Sequence, residues 1–346
     1  MRFKGFKKEI TKGRYLNAFK NFEEKEIAIE LRHDEITDVA CRILPYRVRT
    51  AHKPDVESYL EKSPESLCPF CSPLFEKTTP KFMPHIIAEG KFRHGNAWLF
   101  PNAFPYDANN SVAILSSRHF IPMDELTPQT MKDGFEVCRD YFHRMAEMNL
   151  GYKYCSINWN YMPPAGGGLI HPHLQTIIGK KPTNFMQRLI TSAQGYAAEE
   201  DGGNLWHSLI AMEKDSKERF ITNTGAISWL TSFAPKSMAG EIDFYFHEKT
   251  SFFDLTEANL DELLAGLAKV FGYLYANNFI SFNLSLYAPM LSNRYLWVQG
   301  KITPRFEINP LGTSDLNYFE KLHNEIICPV VPEDLCKELQ NYFAAQ

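Results

Sequence analysis

The residues best suited to chemistry lie in one short stretch, where two histidines and a glutamine follow three glycines. His171, His173 and Gln175 alternate along residues 169–178, and the apolar flanks of this segment predict a β-strand. Alternate residues of a strand point to the same side, so we expect both imidazoles and the amide to share one patch. The glycines at 166–168 let the backbone approach a ligand closely. The combination favours a phosphate-ester site, whereas an isolated His-x-His motif is also typical of a half-buried structural strand.

A pair of cysteines forms a second candidate site. Cys68 and Cys71 are separated by two residues, in a loop rich in proline and serine. Such a pair binds zinc, serves redox chemistry or has no chemical role, and the surrounding prolines do not provide the βαβ context of a thioredoxin-like redox site. Zinc would need two more ligands, and His119 and His171 are the candidates that we prefer. Closed by four protein ligands, the ion would stabilise the loop of Cys68 and would not activate water.

Two arginines follow the predicted strand over residues 39–44. Arg47 and Arg49 are well placed there to fork onto phosphate oxygens, although a solvated basic loop is the alternative for two arginines alone. Lone histidines are seldom ligands. We therefore expect the following to be ordinary surface or satisfied residues: His33, His52, His94, His143 and His247.

The composition is that of a globular protein without a nucleic-acid or membrane partner. The 346 residues are 44% hydrophobic and 23% charged, with a formal net charge of -4, and they include no basic stripe that would follow a nucleic-acid backbone. The N-terminus lacks an apolar signal core and no apolar run is long enough to span a bilayer, so we expect a cytoplasmic protein. The seven cysteines, an odd number with one close pair, are expected to be reduced thiols, some of them on a metal.

The same order of predicted elements occurs twice along the chain. Each copy begins with a tryptophan-containing strand, at Trp98 and at Trp229, and continues with a second strand, a long helix and two more strands. The later elements of the first copy are predicted over 111–115, 128–148, 154–160 and 169–178. Those of the second are predicted over 241–247, from Asp254 onward, 282–287 and 295–302. The last strand of the second copy has no histidine, so we expect imidazole chemistry only in the first.

From about residue 27 to the C-terminus, these motifs and their order resemble the galactose-1-phosphate uridylyltransferase branch of the histidine-triad (HIT) superfamily. The resemblance implies a HIT-like α+β fold of two tandem HIT-type repeats, with mainly antiparallel sheets flanked by helices. It divides the chain into two repeats. Residues 1–200 would hold the N-terminal strands, the zinc loop and the His-Pro-His-x-Gln motif, and residues 201–346 would form a degenerate second repeat.

The resemblance also implies roles for individual residues. In that family the second histidine of the motif is the nucleophile and the glutamine binds the phosphoryl oxygens, which implies that His173 and Gln175 are catalytic here. The structural zinc (Zn2+) site of many members implies four ligands: Cys68, Cys71, His119 and His171. The implied substrate-binding residues are Arg47, Asn102 and Asn160, and to these we add the backbone amides of Gly166, Gly167 and Gly168.

The expected function is a nucleotidyltransferase of carbohydrate metabolism, specifically of galactose metabolism. It would move UMP between a nucleotide sugar and a hexose 1-phosphate through a covalent nucleotidyl-His173. A phosphorylase that uses inorganic phosphate on nucleotide sugars or dinucleoside polyphosphates is one alternative, and a non-catalytic nucleotide-binding module is another. Gly168 stands where many members have serine, and Ala103 where an acidic residue is frequent. The transfer chemistry is therefore better supported than the sugar. Family members are commonly homodimers, but no stretch of this sequence marks an interface.

Overall fold

The structure, a computed structural model, describes residues 5–47, 55–308 and 312–345. Within these ranges it contains eight α-helices and sixteen β-strands. The helices are α1 Val56–Lys62, α2 Leu74–Thr78, α3 Pro128–Glu147, α4 Asn184–Glu199, α5 Leu205–Ser216, α6 Glu257–Ala276, α7 Tyr318–His323 and α8 Pro332–Ala344. The strands are β1 Lys7–Asn17, β2 Glu23–His33, β3 Ala40–Ile43, β4 Phe92–His94, β5 Ala97–Pro101, β6 Asn110–Ile114, β7 Tyr154–Tyr161, β8 His173–Gly179, β9 Phe220–Thr224, β10 Ile227–Thr231, β11 Ile242–Phe246, β12 Ser281–Pro289, β13 Gln299–Arg305, β14 Glu307–Ile308, β15 Thr313–Ser314 and β16 Ile326–Cys328.

Ten of these strands form one continuous antiparallel sheet. The strand order is β4-β5-β6-β8-β7-β12-β13-β11-β10-β9, so each half of the sheet has the same internal connectivity. The halves meet where β7 pairs with β12 over eight residue pairs. This repetition of strand order agrees with the duplicated pattern in the sequence, and the predicted α+β class with mainly antiparallel sheets is confirmed. The division at residue 200 remains a prediction.

One face of the large sheet packs on the two longest helices. The N-cap residues of α3 and α6 are Thr127 and Thr256, and the hydroxyl oxygen of each accepts a backbone N–H of the first turn, from Thr130 and Asn259 respectively. Their apolar stripes bury the main core together with alternate strand residues such as Trp159. Within the described residues, no helix combines the length and the apolar character that a bilayer span requires.

The opposite face of the sheet carries the polar residues of the candidate site. Over the second half this face is covered by α4 and α5. Over the first half it is partly covered by the segment that contains the two predicted zinc-binding cysteines, through Phe70 and Phe75. The sheet thus separates an apolar core on one side from a partly open polar face on the other.

Two predicted strands begin later than expected. The segments predicted over 169–178 and 295–302 become strands only at His173 and Gln299. In the first case Pro172 has no N–H that could extend the hydrogen-bond ladder of the sheet. Its carbonyl oxygen accepts a hydrogen bond from the N–H of Leu115. His171 therefore lies in the bend before β8. The prediction that His171 lies on the same strand as His173 and Gln175 is wrong.

The tryptophans that mark the two copies are not equivalent in the fold. Trp229 is fully buried in the core under α6, whereas Trp98 lies on the opposite face and is partly exposed. Strand register pairs Trp98 with Ile114 and Ile114 with His173, and the same path in the second half runs from Ser228 through Tyr245 to Gln299. The match in sequence is thus displaced by one residue, which exchanges the two faces of a strand.

The N-terminal strands are anchored to the second half of the chain. Strands β1, β2, β3 and β16 form a separate four-stranded sheet. Arg32 on β2 is 3% exposed and forms two hydrogen bonds with the carboxylate of Glu333, at 2.8 and 3.0 Å. Arg219, 1% exposed, donates to the same carboxylate at 2.8 Å. This buried ion network ties the first strands to α8.

Candidate active site and metal centre

His173 is held as a neutral imidazole with one ring nitrogen fixed. Its Nδ1 lies 2.8 Å from the carbonyl oxygen of His171, which can only accept, so Nδ1 carries the proton and donates. Burial lowers the pKa of His173 below its usual range, against the opposing effect of this hydrogen bond. Nε2 therefore keeps its lone pair at neutral pH, which is the state that a histidine nucleophile requires.

His173 and Gln175 line a cavity of about 500 Å³ beside β8. Its walls are mainly aromatic and apolar, with a few polar groups, and include Phe70, Phe100, Asn102, Phe104, Tyr106 and Gly168. Among the described residues, the side-chain amide of Gln175 has no hydrogen-bond partner and is available to a ligand. An aromatic cavity with few polar groups suits a flat heterocycle, and the His173 end of the cavity would then face the attached phosphate.

Asn102 lines this cavity and also organises its rim. Its Oδ1 accepts the N–H of Phe104 at 2.9 Å, and its Nδ2 donates to Asn110 Oδ1 at 2.8 Å. The side chain therefore holds the turn that presents Phe104, whose surface is 86% exposed. This bonding leaves one amide hydrogen of Asn102 for a ligand.

The other two predicted side-chain contacts are not among the residues that line the cavity. Arg47 is exposed in the bend after β3 and is not among the residues that line the cavity. Asn160 lies near the end of β7, and its Oδ1 accepts from Asn283 Nδ2 at 2.7 Å. Both substrate contacts remain predictions. The neighbouring Arg49 and the surface histidine predicted at His52 lie outside the described residues.

The glycine loop is tightly wound against β7. An atom at the Cβ position of Gly167 would lie 2.8 Å from the carbonyl oxygen of Asn160 and 3.0 Å from that of Met162, so only glycine fits there. The amides of Gly166 and Gly167 donate to the carbonyls of Pro163 and Met162. Within the described part of the chain, only the amide of Gly168 among the three has no partner. Of the three predicted phosphate-binding amides, this one is free to serve.

Cys68, Cys71, His119 and His171 form a compact cluster. Their four ligand atoms lie within 4.8 Å of one another. The Sγ of Cys71 is 3.3 Å from Nδ1 of His119 and 3.4 Å from Nδ1 of His171, and the Sγ of Cys68 is 3.7 Å from Nδ1 of His171. A tetrahedral zinc ion separates its sulfur and nitrogen ligands by roughly 3.5 Å. The cluster could hold such a metal ion.

The surroundings of the cluster also fit a cation. His119 Nε2 donates to the carbonyl of Ser63 at 2.7 Å and His171 Nε2 to that of Ser116 at 2.9 Å, which directs both Nδ1 atoms toward the thiols. Burial and the neighbouring Cys68 raise the pKa of Cys71 to about 12, so this thiol needs a positive charge nearby before it ionises. Four protein ligands leave no open position, as in structural zinc sites.

The candidate metal cluster and the cavity are connected through His171 and Phe70. The carbonyl oxygen of His171, a cluster residue, fixes the tautomer of His173. Phe70, between the two cysteines, packs edge-on against both histidine rings, with centroids 5.8 and 5.4 Å away. A metal at the cluster would therefore also hold one wall of the cavity in place.

Comparisons with known proteins identify the fold. No protein-family model matches the sequence. An uncharacterized protein of Archaeoglobus fulgidus is 28% identical over 344 residues, which are 98% of this chain and 99% of that protein. An Arabidopsis thaliana ADP-glucose phosphorylase, solved with bound ADP-glucose, aligns with a TM-score of 0.67 and 18% identity over 90% of this chain and 98% of its own. A uridylyltransferase aligns with a TM-score of 0.62 and 17% identity over 90% and 98%.

This chain has the uridylyltransferase fold. At such identities the likeness concerns architecture, and at that level the resemblance predicted from the motifs is confirmed. The residues that line the cavity of this uridylyltransferase fold include some that the motifs did not predict. Phe70 could have been expected from its place between the two cysteines of the candidate metal cluster. Thr79 also lines the cavity and accepts from Nζ of Lys91, which lies 4.1 Å from the ring centroid of Phe75; neither residue has a signal in the sequence.

Proposed function

We propose that this chain is a nucleotidyltransferase that works through a covalent nucleotidyl-histidine at His173. Nε2 of the neutral imidazole attacks the α-phosphorus of a nucleotide donor, and the bond from that phosphorus to the bridging oxygen breaks. The electron pair leaves with the departing phosphate, which is already a stable anion and needs no proton. The observation that carries the proposal is the hydrogen bond from Nδ1 of His173 to the carbonyl of His171, because it keeps Nε2 unprotonated.

The negative charge of the α-phosphoryl group must be met during this step. Two described groups of the cavity that can donate to it are the side-chain amide of Gln175 and the free backbone amide of Gly168, each worth on the order of 3 kcal/mol in a transition state. A glutamine at position 175 cannot deliver a proton as a histidine would. Attack by an acceptor phosphate on the nucleotidyl-His173 is therefore favoured over hydrolysis, since a phosphate oxygen needs no general base.

For the substrates, we propose a nucleotide sugar as donor and a hexose 1-phosphate as acceptor, with UMP as the transferred group. A second candidate is phosphorolysis, in which inorganic phosphate is the acceptor. It is favoured by the fold shared with a plant protein that is an ADP-glucose phosphorylase. Both candidates use His173 in the same way and differ in base and acceptor. Zinc, with Cys68, Cys71, His119 and His171 as ligands, would be structural in both. The homodimer implied by the resemblance stays a prediction, which the mass of the protein in solution would test.

Intact-mass measurement tests the proposal directly. The protein is mixed with UDP- and ADP-sugars in turn, and the mass added to the chain identifies the nucleoside monophosphate that it carries. Adding hexose 1-phosphate or inorganic phosphate to the adduct then distinguishes the two acceptors. The His173→Ala variant should form no adduct, whereas His94→Ala, which removes an imidazole on the surface beside Asp140, should behave as the wild type. Nucleotide binding without any adduct would favour a non-catalytic module.

A further inference from the structure

We infer that Asn283 and Arg305, both in the second half of the chain, are positioning residues that turn the amide of Asn160 into a hydrogen-bond donor beside His173. The inference rests on the proposed function. It deepens that function, because it assigns the second half a part in the reaction although that half has no imidazole in its own last strand.

Strand register and hydrogen bonds together connect these side chains in one row across four neighbouring strands. Asn158 pairs with Gln175, and continuing this register by two residues sets Asn160 opposite His173 on the same face of the sheet. On its other side, Asn160 pairs directly with Asn283 of β12. Arg305 lies on the next strand, β13. Asn160 is therefore the link between the candidate nucleophile and the second half.

The hydrogen bonds in this row can run in only one direction. A guanidinium only donates, so the atom of Asn283 that lies 2.8 Å from Arg305 Nη1 must be Oδ1. Nδ2 of Asn283 then faces the carbonyl oxygen of Ala165 at 2.8 Å, which can only accept. Two independent partners therefore fix the orientation of the Asn283 amide. The same Nδ2 lies 2.7 Å from Asn160, whose facing atom must be Oδ1.

The consequence falls on the free end of Asn160. With Oδ1 engaged by Asn283, its NH2 group is directed away from β12, which is toward the strand of His173. Among the described residues this NH2 group has no partner. It is thus available to an anion at the α-phosphoryl position, alongside the amide of Gly168. A freely rotating asparagine would offer its oxygen as often as its nitrogen, and the oxygen would repel the phosphoryl group.

Arg305 is itself held rigidly. Its Nε and Nη2 donate to the two carboxylate oxygens of Asp315 at 2.7 and 2.6 Å, and Asp315 is 3% exposed. A bidentate pair of this kind fixes the plane of the guanidinium. Because Asn283 also holds the carbonyl of Ala165, just before the glycine loop, the row positions the loop and Asn160 together.

Asn283→Asp reverses the row with almost no change in side-chain volume, and it also removes the donor to the carbonyl of Ala165. One carboxylate oxygen still accepts from Arg305, but the other now faces Asn160, whose amide must turn its NH2 toward it and present its oxygen to the substrate. We expect the single-turnover rate of adduct formation to fall about 100-fold, the effect of losing one positioned donor, with a change in donor KM of less than about threefold. Ser285→Ala is the matched control. It removes a 2.8 Å bond across the same seam, from Ser285 to Asn158, outside the row.

A double variant separates donor direction from charge. Asn283→Asp with Asp315→Asn leaves Arg305 one carboxylate partner, as in the wild type, yet keeps the reversed bond to Asn160. The rate should remain low in this variant. Recovery of the wild-type rate would overturn the inference, because it would show that the added charge, and not the donor direction, caused the loss.

A second measurement is independent of turnover. In the wild type, hydrogen exchange of the side-chain amides, followed by 15N NMR, should be fast for Asn160 and slow for Asn283. In Asn283→Asp the Asn160 amide should become slow to exchange, and an Asn160 amide that is already protected in the wild type would overturn the inference. If the wild type forms no adduct, the proposed function fails while this measurement still decides the orientation of Asn160.

Discussion

Replacing Gly167 by alanine should displace the glycine loop, because the added methyl group would overlap two backbone carbonyl oxygens. The added Cβ would lie 2.8 Å from the carbonyl oxygen of Asn160 and 3.0 Å from that of Met162. Both oxygens belong to the backbone, and the neighbouring positions leave little slack, since Gly166 and Met162 have φ angles of 85° and 68°. The loop must therefore move by roughly half an ångström to restore an ordinary contact. A displacement of about 1 Å at a reacting group costs on the order of 100-fold in rate.

We therefore expect Gly167→Ala to slow adduct formation about tenfold and to lower the free energy of unfolding by about 1 to 3 kcal/mol, as overpacking does. Single-turnover mass spectrometry measures the first quantity and urea unfolding the second. Gly168→Ala is the matched control, because no atom lies within 4 Å of its Cβ position. Its unfolding free energy should stay within about 0.5 kcal/mol of the wild type. Wild-type rate and stability in Gly167→Ala, or an equal loss of unfolding free energy in Gly168→Ala, would refute the reasoning.

Three further predictions concern pH, metal and stability. Burial lowers the pKa of His173 below 6.5, so the rate of adduct formation should stay level as pH falls through 6.5 and decline only at lower pH. A single-turnover rate profile whose midpoint lies at or above pH 6.5 would contradict this. Chelation of a metal bound at the cluster should lower the melting temperature. It should also raise the donor KM, because Phe70 would lose its place against His173, whereas kcat per folded molecule should change less. A folded, metal-free protein with no turnover would contradict this prediction. Glu333→Gln should lower the free energy of unfolding at pH 7 by about 2 kcal/mol in urea titrations, since it leaves Arg32 and Arg219 without their shared carboxylate. The pKa of Glu333 is about 2 in the folded protein and 4.5 ordinarily, so this difference should be full above pH 4.5 and vanish as pH falls toward 2; no difference at pH 7 would refute it.

Local chemistry could be predicted from the sequence because each motif carries its own geometry. The cysteine pair with His119 and His171 forms the expected cluster, and His173 donates to a backbone carbonyl as its proposed role requires. Long helices with a threonine at the cap, such as the one that begins after Thr127, were also predictable. These features depend on residues within a few positions of one another or on a known motif order.

What could not be predicted depends on strand register and on distant partners. Trp98 is offset by one strand position from Trp229 and therefore lies on the face opposite the core. The alternation of apolar and polar residues along a strand does not show which of its two faces other elements cover. The sequence does not mark Asn283 and Arg305 as functional, since a single asparagine or arginine in a strand is common in proteins for structural reasons. Their part emerges only when β12 lies beside β7. The bend before His173 likewise depends on the tertiary contact of Pro172 with Leu115.

The seam between β7 and β12 limits how this chain can be shortened. A protein cut back to its first half would leave the eight residues of β7 with a row of unpaired N–H and C=O groups along one side. Such an edge can pair with another strand, and the β7 edge of a second truncated molecule would be exposed in the same way. The expected product of truncation is thus a strand-paired dimer or an aggregate, and a smaller active monomer is not expected. The second half, whose strand β13 has no histidine, thus serves the first half by pairing the edge of β7 that would otherwise be open.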